Sequence, residues 1–272
     1  MRPKGIPPSG KKTSLLTGVI HLAPLPGSPR ASRSISEIAA SAVADARALA
    51  DAGFDLVMIE NFGDAPFHRG DAPPITIAAM TACAEAIRTA TRKLPLGINV
   101  LRNDVAAALA IAHVIDASVV RVNVHSGARI TDQGIIEGRA AETLRLRKSL
   151  GAEKIEIWAD VDVKHSAPLA PRPIEEEASE LHERALADAL LVTGSGTGVP
   201  VNASDLARVR KAAPTAKIYI ASGATTLNLD TFAEHASGII VGSALRASGK
   251  AGDPIDKSIA KKFAAAFRKS FS

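Results

Sequence analysis

The chain has 272 residues, 46% hydrophobic and 22% charged, with a net charge of +5 and one cysteine, Cys83. That composition excludes a disordered chain, an intrachain disulfide and a cysteine metal cluster. Aromatics at 3% argue against a base-stacking surface, and the basic residues are spread along the chain, so no nucleic-acid partner is expected.

No apolar run reaches the ~18 residues of a membrane span, so no integral membrane segment is expected. With no leader cleavage site recognisable and one unpaired cysteine, a reducing, cytoplasmic setting is expected. Residues 1–12, basic and rich in proline and glycine, are expected to be a flexible tail, with one folded unit over 13–272.

From residue 13 onward, short apolar runs alternate with helical patterns. Strands are predicted at 15–21, 56–60, 96–99, 119–125, 155–164, 189–193, 218–222 and 239–242. Helices are predicted at 36–52, 75–92, 105–115, 135–150, 174–188, 204–213, 227–234 and 254–270. Eight strand-then-helix units in one unbroken series, at this length, predict an α/β fold: a (β/α)₈ TIM barrel of a single domain.

The fourth and fifth predicted strands carry charge in a regular pattern. Val120, Val122 and Val124 alternate with Arg121, Asn123 and His125, and Ile155, Ile157, Ala159, Val161 and Val163 alternate with Glu156, Trp158, Asp160, Asp162 and Lys164. Period-two alternation turns the aliphatic rows outward to the helices and the polar rows into the barrel. Charges are seldom buried unpaired, so Arg121 and Asp160 could form a buried pair. His125, Asp162 and Lys164 fall nearest the carboxyl-terminal mouth, where this fold keeps its reactive groups. Asp160 and Asp162 on the same face are expected to keep Lys164 protonated, which favours a general acid or fixed cation over a Schiff-base amine.

His21 closes the first strand, Glu60 and Asn61 the second, and Asn99 the third. With His125 these form a candidate ring of proton carriers. Asp160, Asp162, Glu60 and the histidines also make a divalent metal possible, although no spaced ligand motif is present and no cofactor is required.

After the sixth strand comes Thr193-Gly194-Ser195-Gly196-Thr197-Gly198, after the seventh Ser222-Gly223-Ala224-Thr225-Thr226, and at the eighth Val241-Gly242-Ser243-Ala244-Leu245. Glycine turns at neighbouring strand ends let backbone N–H groups approach an anion closely. Gly194, Gly196, Thr197, Ser222, Gly223, Gly242 and Ser243 are therefore the candidate phosphate cradle. Long loops on the same face carry Arg30, Arg69 and Arg129, which either grip an anionic substrate or are solvated.

Two further stretches are distinctive: Gly18-Val19-Ile20-His21-Leu22-Ala23-Pro24-Leu25-Pro26-Gly27-Ser28-Pro29 and Ile59-Glu60-Asn61-Phe62-Gly63-Asp64-Ala65-Pro66-Phe67. Together with Asp160-Val161-Asp162-Val163-Lys164-His165 and the 193–198 segment, they resemble the BtpA (BtpA/SgcQ) family across about residues 13–270. The resemblance implies a ribulose-phosphate-binding type of barrel. It brings a role in photosystem I biogenesis in cyanobacteria, and the labels phosphoribosylanthranilate isomerase and nucleosidase for some members. The isomerase family uses a cysteine after its first strand and an aspartate after its sixth. His21 and Thr193 stand there in this chain, so that chemistry does not carry over.

The leading expectation is an enzyme on a phosphorylated sugar or nucleotide-like substrate, of isomerase, lyase or nucleosidase type. Asp160, Asp162 and Lys164 would form its charged group, with His21, Glu60 and His125 as proton-transfer candidates. The rivals are a non-catalytic assembly factor, which predicts an exposed apolar patch, and a regulatory barrel that binds a sugar phosphate unchanged. A homo-oligomer is expected.

Overall fold

The computed structural model describes residues 14–194 and 196–272; the tail expected over 1–12 and Ser195 lie outside the described residues. Its centre is a closed eight-stranded parallel barrel. The barrel strands are β1 (Leu15–His21), β2 (Leu56–Glu60), β3 (Leu96–Asn99), β4 (Val119–Val122), β7 (Glu156–Val161), β9 (Ala189–Val192), β10 (Lys217–Ile220) and β11 (Gly238–Val241), with β11 pairing back onto β1. The (β/α)₈ expectation is met.

Helices α1 (Ile35–Ala52), α2 (Pro74–Ala90), α3 (Val105–Val114), α4 (Ala140–Ser149), α5 (Ile174–Glu183), α6 (Ala203–Ala212), α7 (Leu229–Ala233) and α8 (Lys257–Ser270) form the outer ring. In α1, Ile38, Ala42, Ala46 and Leu49 recur at helical spacing and are buried. Its start is fixed by a capping box in which Ser34 and Glu37 satisfy each other's backbone N–H. In α8, Asp256 caps the N–H groups of Ser258 and Ile259, and Phe263 and Phe267 pack inward. Among the described residues no helix is long and apolar enough to cross a membrane.

The core has two layers. Outward-facing aliphatics such as Leu16, Ile20, Val57 and Ile59 meet the helices. A second set, including Val19, Met58, Val119, Trp158, Leu191 and Tyr219, plugs the barrel from within. Trp158 and Tyr219 lie 4.5 Å apart between ring centroids, and the indole N–H donates to Glu156 at 2.8 Å. The plug occupies the barrel below its carboxyl-terminal end, so the polar residues above it form the floor of that mouth.

One part of the topology departs from the predicted elements. β5 (Ala128–Thr131), β6 (Gly134–Glu137) and β8 (Ser166–Pro168) form a small antiparallel sheet in the order β6-β5-β8. In the segment 135–139, predicted as helix, residues 135–137 belong to the second strand of a hairpin, and α4 starts at Ala140. The sheet rests on Val124, Ile136 and Val163. Its other face shows Ile130, paired in register with Ile135 and Ala167. Ile130 is 47% exposed and Ile135 48%.

Candidate active site

The strand register sets the site. His21 lies opposite Glu60 across β1 and β2, and Glu60 opposite Asn99 across β2 and β3. Asn99 Nδ2 donates to Glu60 Oε1 at 3.0 Å. Arg121, 4% exposed, reaches across from β4 and donates to Glu60 Oε1 at 3.1 Å. It also holds Asp160 with two bonds, Nε to Oδ2 at 3.1 Å and Nη2 to Oδ1 at 2.9 Å. Asn123 Nδ2 adds a bond to Asp160 Oδ2 at 2.6 Å. The result is one buried cation held between two carboxylates, in bidentate geometry on one side.

The charges of this floor are mutually dependent. Burial alone would lower the Arg121 guanidinium, but Asp160 and Glu60 outweigh it and raise it. Burial would raise the Glu60 carboxyl, yet Arg121, His21 and Lys164 outweigh that and hold it below the usual carboxylate range. His21 is pushed down from 6.5 to about 3, first by burial and then by Arg246, Lys164 and Arg121, against the pull of Glu60. The imidazole is therefore neutral at neutral pH. Its Nε2, 3.9 Å from Glu60 Oε2, makes a polar contact rather than an ion pair. Its Nδ1 is buried with no partner, and its ring lies 4.5 Å from that of Phe62.

Above the floor opens a small cleft of about 40 Å³. It is lined by His21, Glu60, Arg121 and Lys164 together with Thr197, Gly198, Ser222, Gly223, Gly242 and Ser243. The two groups anticipated separately from the sequence thus share one space. A Cβ on Gly242 would sit 2.9 Å from His21 Cε1, so only glycine leaves room for that ring.

The cradle residues differ in what they do. Ser222 Oγ lies 3.0 Å from Gly196 O and 3.1 Å from Val199 O, so its proton ties the preceding loop in place. Gly194 and Gly196 are not part of the cleft wall. Gly194 is buried, packed against the Val199 carbonyl. Thr197 Oγ1 pairs with His165 Nε2 at 3.0 Å. Arg246 is buried and donates to the carbonyls of Val19, Gly242 and Asp253, binding β1, β11 and the last loop together.

Three of the six anticipated proton-handling residues, His21, Glu60 and Lys164, line the cleft. Asp160 sits beneath them, spent on Arg121, as the buried-pair alternative allows. The expected positions of Asp162 and His125 require correction. β7 ends at Val161, and Asp162 turns with φ +49, which breaks the alternation. Its side chain is 57% exposed and pairs with Arg129. Arg129 also holds Glu177 at 2.5 Å, so this arginine anchors the small sheet to α5. β4 ends at Val122, and His125 turns outward, with Nε2 3.0 Å from Ala185 O. Burial lowers its pKa.

Lys164 is also not held as expected. Among the described residues no carboxylate lies within ion-pair reach of its Nζ. Burial lowers its pKa, Arg121 and Arg102 add to that, and Glu60 and Asp160 oppose it. Arg102 escaped the sequence reasoning: it is buried and donates from Nη2 to the Lys164 carbonyl at 2.7 Å. Its contact spans 62 positions, so no local pattern signals it. Arg30 donates to backbone carbonyls of Gly63 and Ala65. Among the described residues no three His, Cys, Asp or Glu side chains converge on a common point, because Asp162 is turned out while Glu60 and Asp160 share Arg121.

Comparison with known proteins gives a consistent picture. The model of the BtpA family matches residues 11–269. An uncharacterized protein of Methanocaldococcus jannaschii is 44% identical, covering 94% of this chain and 95% of its own. The photosystem I biogenesis protein BtpA of Synechocystis sp. is 41% identical, covering 88% of this chain and 83% of its own. Among solved structures, N-(5'-phosphoribosyl)anthranilate isomerase from Pyrococcus furiosus superposes with a TM-score of 0.54 at 12% identity, covering 94% of this chain and 99% of that one. At that identity the likeness concerns the fold alone.

Proposed function

The chain belongs to the BtpA family, and we propose that the cleft of its barrel binds a small phosphorylated sugar-type substrate and carries out isomerase-, lyase- or nucleosidase-type chemistry on it. One observation carries this reading. A single cleft joins the glycine- and serine-lined ends of β9, β10 and β11 to His21, Glu60, Arg121 and Lys164. Backbone N–H groups and Ser243 suit a dianion. In the same cleft stand a neutral imidazole, a carboxylate and a lysine, which are the parts that proton transfer needs. The fold neighbour whose name specifies a 5'-phosphoribosyl group supports the phosphate by analogy.

Calorimetry with inorganic phosphate and ribose 5-phosphate tests it. Both should bind, and Ser243→Asp, which sets a negative charge in the cradle, should weaken them about tenfold or more, ~1.4 kcal/mol. No heat with either ligand would overturn the reading. Product analysis then separates turnover from binding alone.

The exposed Ile130 and Ile135 face favours a second reading, a non-catalytic protein-docking role, and the cyanobacterial relative is named a photosystem I biogenesis protein. Ile130→Lys with Ile135→Lys would then remove the biological effect while leaving phosphate binding intact.

A further inference from the structure

We propose that Lys164 Nζ is a nucleophile that captures the carbonyl carbon of a phosphorylated aldose or ketose as a Schiff base, an inference that rests on the phosphate reading of the same cleft. Lys164 lines the cleft together with the cradle residues Ser222, Gly223, Gly242 and Ser243. A ligand whose phosphate occupies the cradle therefore shares this small space with the amine. The carboxylates that would neutralise an ammonium are committed elsewhere: Asp162 to Arg129, and Asp160 to Arg121. The lysine backbone is fixed by Arg102, whose Nη2 donates to the Lys164 carbonyl at 2.7 Å. Burial and the Arg121 and Arg102 guanidinium groups lower its pKa against the pull of Glu60 and Asp160, which raises the free-amine fraction.

The chemistry balances with water alone. The Nζ lone pair adds to the carbonyl carbon, and the π pair moves to oxygen, which takes the proton released by nitrogen. A second proton, taken from solvent, lets that oxygen leave as water and leaves C=N⁺. When the neighbouring C–H bond breaks, its proton passes to the Glu60 carboxylate and its electron pair moves into C=N⁺, giving an enamine. Reprotonation and hydrolysis return the amine.

The test is reductive trapping on the full-length protein. The chain is incubated with D-glyceraldehyde 3-phosphate, ribose 5-phosphate or ribulose 5-phosphate and cyanoborohydride, and the labelled lysines are identified by peptide mass spectrometry. Each unit by which its pKa lies below that of an exposed lysine multiplies the free-amine fraction about tenfold. Lys164 should therefore label faster than Lys148, whose partner Glu153 raises its pKa. Inorganic phosphate should protect Lys164 and spare Lys148. Phosphate binding without preferential labelling at Lys164 overturns the covalent role and leaves the phosphate reading standing, with Lys164 as a fixed cation. Labelling at Lys164 that phosphate does not protect overturns the phosphate reading and keeps the nucleophile. Neither binding nor labelling overturns both. The readout is on the unmodified protein, so it does not depend on the folding of a Lys164 variant.

Discussion

Asp64 Oδ1 accepts a hydrogen bond from the Leu25 N–H at 2.8 Å, and so locks the loop after β1 onto the loop after β2. The two loops are otherwise joined by Gly63 N–H to Leu22 O at 3.0 Å, and a Cβ on Gly63 would come within 2.4 Å of Pro24 N. Asn61 Nδ2 completes the knot by donating to Asp64 Oδ2 at 3.1 Å. Asp64→Ala leaves the Leu25 N–H without its acceptor, at a cost of about 1–3 kcal/mol. Chemical denaturation should report that loss, and hydrogen exchange should rise over 22–28. An unchanged exchange rate there would show that the loops are held by other means.

His21 makes stability fall in acid. It titrates at about 3 when folded and near 6.5 when unfolded. Above that value neither state is protonated and the residue has no pH effect. Below it the unfolded chain takes a proton that the folded chain refuses, so stability drops at up to ~1.4 kcal/mol per pH unit and levels off near 3. The groups facing the ring are Glu60, Arg246, Lys164 and Arg121, so their titrations must be common to both proteins compared. Urea unfolding of the wild type and His21→Asn between about pH 7 and 4 should give a steeper slope for the wild type.

Gly242→Ala should displace the same ring. The added methyl at 2.9 Å from His21 Cε1 overpacks the site and costs about 1–3 kcal/mol. His21→Ala in the same chain should restore most of that loss, since the obstacle is then removed. Independent, additive losses in the double variant would sink the assignment.

Arg121→Met strands two carboxylates in the barrel. The expected cost is about 3–5 kcal/mol, larger than that of any surface charge change. Glu60→Gln with Asp160→Asn should recover part of it, because amides carry no charge to bury. Thermal melts of the single and triple variants read this directly.

Arg129→Ala should release the small sheet without melting the barrel. Asp162 and Glu177 lose their shared cation, and hydrogen exchange should increase across 128–137 and 166–168. A global loss of protection would mean that the sheet is integral to the barrel's stability.

The sequence discloses the barrel because the strand-and-helix alternation is local and repeated eight times. Val120 and Val122 point outward, and Arg121 and Asn123 inward, as period two requires. The pattern misleads where a strand stops. Val124 and Val163 look like continuing rungs, but they belong to the small sheet's own cluster. The turn at Thr131-Asp132-Gln133-Gly134, with Gly134 at φ +100, is the local sign of the hairpin that the helical spacing of its apolar residues concealed. His21, Glu60 and Lys164 were legible as strand-end polar groups. What Lys164 lacks was not, because the diversion of Asp162 to Arg129 depends on a partner 33 positions away.

The Arg246 guanidinium, bound to carbonyls of Val19, Gly242 and Asp253, stitches the two ends of the barrel's circle. A nascent polypeptide still on the ribosome holds His21, Glu60 and Lys164 long before it holds this stitch. Closure of the ring therefore draws on a contact that spans 227 positions, from Arg246 to the Val19 carbonyl.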